Sequence, residues 1–135
     1  MCLIPIAHKV HADYPLILAA NRDEYYQRPS RSVHCWEDHS SVLAGRDLTH
    51  GGTWLGIEHS SRIAAVANYR QTVRKAAGTK SRGFLVSDYL IGGDELISYM
   101  SNLSASAEQF DGFNLIVGNQ DNLYFLSSNQ HPSKK

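Results

Sequence analysis

Apolar residues in the first half of the chain come in short blocks, at 2–7, 16–21, 41–45, 53–58 and 62–69, separated by turn formers such as Asp13, Asp47 and Gly51-Gly52. Blocks of this length bounded by Gly and Asp predict strands. Two of them, Leu16-Ile17-Leu18-Ala19-Ala20 and Ile63-Ala64-Ala65-Val66-Ala67, are continuously apolar rather than alternating, which predicts strands covered on both faces.

The period then changes. Between 81 and 91, Phe84, Leu85, Asp88, Tyr89 and Ile91 recur at helical spacing, with Ser81 placed to cap the start. A second helix is predicted over 94–103 after Gly92-Gly93, with Leu96, Ile97 and Met100 on one face. Beyond Asp111-Gly112 the strand pattern returns at 113–117 and 122–126, joined as a hairpin across Gly118-Asn119-Gln120-Asp121. Strands, then helices, then strands make an α+β pattern. One domain is expected over 1–126, followed by a polar tail at 127–135.

Composition narrows the function classes. The 13 basic and 13 acidic side chains leave no net field toward nucleic acid or an anionic membrane. The apolar run at 16–20 is far shorter than the ~20 residues of a membrane span. Two cysteines, Cys2 and Cys35, form neither a disulfide framework nor a CxxC pair, so a reducing cytoplasmic setting is expected. A small molecule is the partner expected from the candidate site residues rather than from composition.

Chemistry concentrates at strand ends. Removal of Met1 would leave Cys2 with both a thiol and a free α-amine, and an amine of pKa about 8 accepts the thiol proton without a histidine. Asn21-Arg22-Asp23-Glu24 places three charges in four residues at the end of an apolar strand. Arg22 suits a substrate carboxylate or a thiolate, and Asp23 suits the α-ammonium or Arg22; a structural ion-pair network is the competing account. Asn68 ends the other apolar strand, where its amide either donates to a developing oxyanion or shapes the turn into Tyr69-Arg70.

Met1-Cys2-Leu3-Ile4, Leu18-Ala19-Ala20-Asn21-Arg22-Asp23-Glu24, Arg28-Pro29, Leu43-Ala44-Gly45-Arg46-Asp47-Leu48, Gly51-Gly52-Thr53-Trp54-Leu55-Gly56 and Ala67-Asn68-Tyr69-Arg70 together resemble the NRDE family, which includes the transport and Golgi organisation 2 homologues. Ser81-Arg82-Gly83 and Gly112-Phe113-Asn114-Leu115 fit as well. That family is in turn similar to the cysteine N-terminal nucleophile hydrolases. The resemblance implies an αββα fold, two antiparallel sheets between helical layers, incomplete in this chain because family members are longer. It implies Cys2 as nucleophile, Arg22 and Asp23 beside it and Asn68 as oxyanion donor, acting on a non-peptide C–N amide bond. Ligand contacts are expected from Asn21, Glu24, His50, Trp54, Tyr69 and Arg70. The family's cellular associations imply a second possibility, a haem-binding, secretion or Golgi-organisation factor using the same pocket without turnover, with mitochondrial or Golgi association. No resident cofactor is implied.

Weaker signals remain. The seven histidines are scattered, without an HExxH-like cluster, and His50 beside Gly51-Gly52 is the one expected in a cleft. Arg70, Arg74, Lys75, Lys80 and Arg82 form a basic stretch that reads as a solvated loop, or as a lid over an anionic ligand. Trp36 and Trp54 have the character of core residues, and Cys35 that of a buried or incidental thiol.

Overall fold

A computed structural model describes residues 2–69 and 80–128. Strands β1 (Ile6–His8) and β2 (Leu16–Leu18) form a two-stranded antiparallel ribbon. The remaining strands are β3 (Ser30–Cys35), β4 (Val42–Asp47), β5 (Leu55–Glu58), β6 (Ile63–Asn68), β7 (Phe113–Gly118) and β8 (Leu123–Ser127). They make one six-stranded antiparallel sheet in chain order. Helices α1 (Phe84–Ile91) and α2 (Leu96–Ser106) lie in the connection between β6 and β7. The described residues are thus α+β with antiparallel sheets.

Strand alternation sets the core. Val42 and Ala44 on β4, Ala64 and Val66 on β6, and Phe113, Leu115 and Val117 on β7 share the face covered by α1. Leu85, Val86, Tyr89 and Leu90 of α1 are buried against them. Each Val, Leu or Phe side chain so removed from water contributes roughly 1.5–3 kcal/mol. Trp36 is buried in this core with its indole N–H on the Ala44 carbonyl at 3.3 Å. Arg62 stacks on the Tyr89 ring and donates to the carbonyls of Gly92 and Asp94, which closes the end of α1. The Tyr99 hydroxyl donates to the Leu85 carbonyl at 2.6 Å and fastens α2 to α1.

Several expectations change. β3 is an additional strand, and its polar edge sequence hid it. β2 is not covered on both faces: Ile17 is 46% exposed in the surface ribbon, whereas Ala64, Ala65 and Val66 of β6 are buried. Gly83, not Ser81, is the N-cap of α1; the Ser81 hydroxyl, two residues earlier, accepts the Gly83 N–H at 3.4 Å. On α2, Leu96 and Met100 lean on the core with Leu103, but Ile97 is 67% exposed because it lies about 100° round the helix from Leu96. Cys35 is exposed rather than buried, as expected of an edge strand.

The β7–β8 hairpin closes where expected. Asn119 accepts the Asp121 and Asn122 N–H groups on its side-chain oxygen, both at 2.9 Å. Gly118 has φ +150, and a Cβ there would lie 2.0 Å from the Asn122 carbonyl oxygen, so the turn needs glycine.

Candidate active site

Cys2 is positioned by backbone pairing that runs past the formal ends of the ribbon. The Leu3 N–H donates to Asn21 Oδ1 at 2.7 Å, the Asn21 N–H returns to the Leu3 carbonyl at 3.3 Å, and the Ala19 N–H meets the Pro5 carbonyl at 3.2 Å. Pro5 contributes its acceptor although it has no N–H to give. Asn21 therefore pins the strand bearing Cys2 beside Arg22, Asp23 and Glu24. The free, half-buried Cys2 thiol stands on the wall of a cleft of about 210 Å³, shared with Arg22, Asp23, Trp54, Asn68 and Arg82.

The cleft floor is backbone against backbone. The Thr53 N–H donates to the Gly83 carbonyl at 3.3 Å, and a Cβ on Gly52 would come within 2.6 Å of the Gly83 carbonyl carbon. That approach brings Thr53 and Trp54 against Ser81, Arg82 and Gly83 at the start of α1.

One side of the cleft is a closed charge network centred on Arg28. Its Nη1 donates to Glu24 Oε2 at 3.1 Å, its Nε to Asp47 Oδ2 at 2.8 Å and its Nη2 approaches the same oxygen at 2.5 Å. Nη2 also meets His50 Nδ1 at 2.9 Å. A guanidinium cannot accept, so Nδ1 is the acceptor and the neutral imidazole carries its proton on Nε2. Burial pushes the Asp47 carboxyl up, but the Arg28 hydrogen bond and the Thr49 N–H outweigh it, leaving the pKa below the ordinary aspartate value.

The other cations differ. The Arg22 guanidinium lies over the Trp54 ring, 4.9 Å from its centroid. Arg82 is half-buried and donates from Nη1 to the Gly112 carbonyl at 3.0 Å. Burial lowers its pKa below the usual arginine value, against the pull of Asp111, Glu24 and Cys2. Asn68 ends β6 opposite Phe113 and is exposed at the cleft mouth. Among the described residues, no three His, Cys, Asp or Glu side chains group as a metal site.

The Transport and Golgi organisation 2 family profile matches residues 1–135. The chain belongs to this family. It is similar to the Transport and Golgi organization protein 2 homolog of Bos taurus, with 43% identity over 107 residues, covering 77% of this chain and 38% of that protein. The Homo sapiens homolog is 40% identical over the same length and coverage. Transport and Golgi organization protein 2 of Drosophila melanogaster is 35% identical over 114 residues, 76% of this chain and 39% of that protein. The chain thus spans well under half the length of these relatives. No helix among its described residues is long and apolar enough to cross a membrane.

In this member of the Transport and Golgi organisation 2 family, Cys2, Asn21, Arg22, Asp23, Glu24, His50, Trp54 and Asn68 all border one cleft. Trp54 is thus a wall residue as much as a core one. Tyr69 is not on that wall; its N–H pairs with the Gly112 carbonyl at 2.9 Å. Arg70, Arg74 and Lys75 fall outside the described residues. Arg28, Asp47, Ser81 and Asp111 line the cleft without having been expected there, and Arg82, expected in a solvated loop or a lid over an anionic ligand, lines it as well. Arg28-Pro29, Asp47 and Ser81-Arg82-Gly83 had stood out as family blocks, which was the available signal. Lys80 and Arg82 both line the cleft, Lys80 exposed and Arg82 half-buried.

Proposed function

We propose that the cleft is an N-terminal nucleophile amidohydrolase site acting on a non-peptide C–N amide bond, with Cys2 as nucleophile once Met1 is removed. The Cys2 α-amine takes the thiol proton and the thiolate attacks the amide carbonyl carbon, forming a C–S bond. The Asn68 amide donates to the resulting oxyanion. Collapse breaks the C–N bond, and the departing amine leaves with the proton held by the α-ammonium. Water then adds to the thioester, the C–S bond breaks, and a carboxylic acid and the free thiol result. Arg22 and Asp23, on the same cleft wall, serve as counter-charges to the thiolate and the α-ammonium that form during the reaction.

The observation that carries this reading is the tether of Leu3 to Asn21, which keeps the Cys2 thiol on the same cleft wall as Arg22, Asp23 and Asn68. The finer fold reading, one sheet of an αββα sandwich, draws support from the sheet face opposite α1. There Leu43 and Ile57 are 40% exposed and Phe125 55%, an apolar surface of the kind a second sheet covers. Intact-mass analysis of the native protein tests the mechanism: the expected mass lacks Met1, and a retained methionine removes the amine and sinks it.

A second reading, binding of a ligand such as haem in the same cleft without turnover, is favoured by the cations Lys80 and Arg82 on the wall, which suit carboxylate side arms. It predicts a Soret shift on titration with micromolar haem, and an unchanged spectrum rejects it.

A further inference from the structure

The cleft's cations fall into two classes. Arg28 is closed off by Glu24 and Asp47. Arg82 is not: among the described residues it makes no ion pair within 4 Å, and its described hydrogen bond goes to the backbone carbonyl of Gly112. A guanidinium carries five N–H donors, so one carbonyl leaves most of Arg82's donor set for the cleft. Holding a half-buried cation without a paired carboxylate costs desolvation that an anion entering the cleft would offset. Asp111 and, more weakly, Glu24, on the same wall, attract Arg82 through space without an ion pair. A neighbouring carboxylate in that position weakens the pull on a second anion.

We propose that Arg82 is the specificity residue of this cleft, binding an anionic group, a carboxylate or a phosphate, on the small molecule that the site takes, with Asp111 restraining its affinity. This rests on the reading of the cleft as a substrate site. Arg82 is a better candidate than Arg22, whose guanidinium is stacked on Trp54. It is also better than Lys80, which is exposed and lacks a planar fork.

The test is a matched pair of probes, N-hexanoylglycine and its uncharged carboxamide N-hexanoylglycinamide, titrated by calorimetry and followed for amine release. The acid is expected to bind about tenfold tighter than the carboxamide, a difference of one decade in Kd. Arg82→Gln should erase the difference, Arg82→Lys should keep part of it, and Asp111→Asn should widen it. Inorganic phosphate in competition separates the sources: displacement of the acid assigns the subsite to phosphate as well, and its failure restricts it to carboxylates. Equal binding of the two probes by the unaltered protein overturns the proposal, as does a preference that survives Arg82→Gln. Preference without amine release from either probe retains the anion subsite and rejects the hydrolase. Release from both at equal efficiency does the reverse.

Discussion

Arg28 and Asp47 meet across 19 residues of sequence, with Nε and Nη2 of the guanidinium both on Oδ2 at 2.8 and 2.5 Å while Oδ1 accepts the Thr49 N–H at 2.9 Å. The pair fastens the segment after Asn21-Arg22-Asp23-Glu24 to the end of β4. The carboxylate is nearly buried, at 9% side-chain exposure, against 26% for the guanidinium. Removing the cation strands a buried charge. Arg28→Ala is therefore expected to destabilise by about 2 kcal/mol, below the loss typical of fully buried pairs because one partner remains wetted. Urea unfolding measures it, and a midpoint within error of the unaltered protein contradicts it.

The same pair fixes a pH response. The folded Asp47 pKa lies below the unfolded value of about 3.9, so the folded state binds fewer protons than the unfolded state in this range. Its stabilisation is complete above that value and is lost as pH falls through the folded pKa. Asp38, held by the Arg46 hydrogen bond at about 2, titrates in the same direction. Asp47→Asn should lower stability at neutral pH and flatten the fall of stability below pH 4, with a residual slope from Asp38 and other carboxylates. Thermal melts between pH 2 and 7 check this, and an unaltered acid limb removes Asp47 from the account.

Much of the sheet was legible because β4 through β8 alternate or run apolar between clear turns. β3 was not: Ser30, Arg31, Ser32 and Val33 are exposed, so no buried face marks the strand. β2 looked like a buried strand because composition reports what a segment could pack against, not whether a partner layer is there. At the site, Cys2, Arg22, Asp23 and Asn68 were visible as polar groups at the ends of apolar strands. The pairing of Arg28 with Asp47 was not, since local pattern does not say which loop a guanidinium reaches. Arg82 was legible only in part, as one of several bases in a stretch that reads either as a solvated loop or as a lid over an anionic ligand, because local pattern does not say which base reaches the cleft.

Gly52 tests whether the cleft floor holds the site together. A Cβ there meets the Gly83 backbone at 2.6 Å, and backbone cannot swing aside as a flexible side chain can. Gly52→Ala should cost about 1–3 kcal/mol and loosen the Thr53 to Gly83 hydrogen bond. Amide exchange is the direct measurement: Thr53 should lose protection more than Val66, whose N–H pairs with the Trp54 carbonyl away from that contact. Equal loss at both would mean a global effect rather than an opened floor.

Asn68 separates chemistry from structure. It is exposed at the end of β6, so truncating it removes little packing, and Asn68→Ala should change stability by less than about 0.5 kcal/mol. On the hydrolase reading, its amide meets the oxygen only when that oxygen becomes negative. Loss of such a donor lowers kcat by roughly 100- to 1000-fold. KM should stay within a few-fold, because the ground-state carbonyl gains little from the same donor. Steady-state kinetics on a hydrolysed N-acyl amide, with the thermal midpoint as control, decides between roles. A fall confined to KM would make Asn68 a binding residue and leave the oxyanion to another donor.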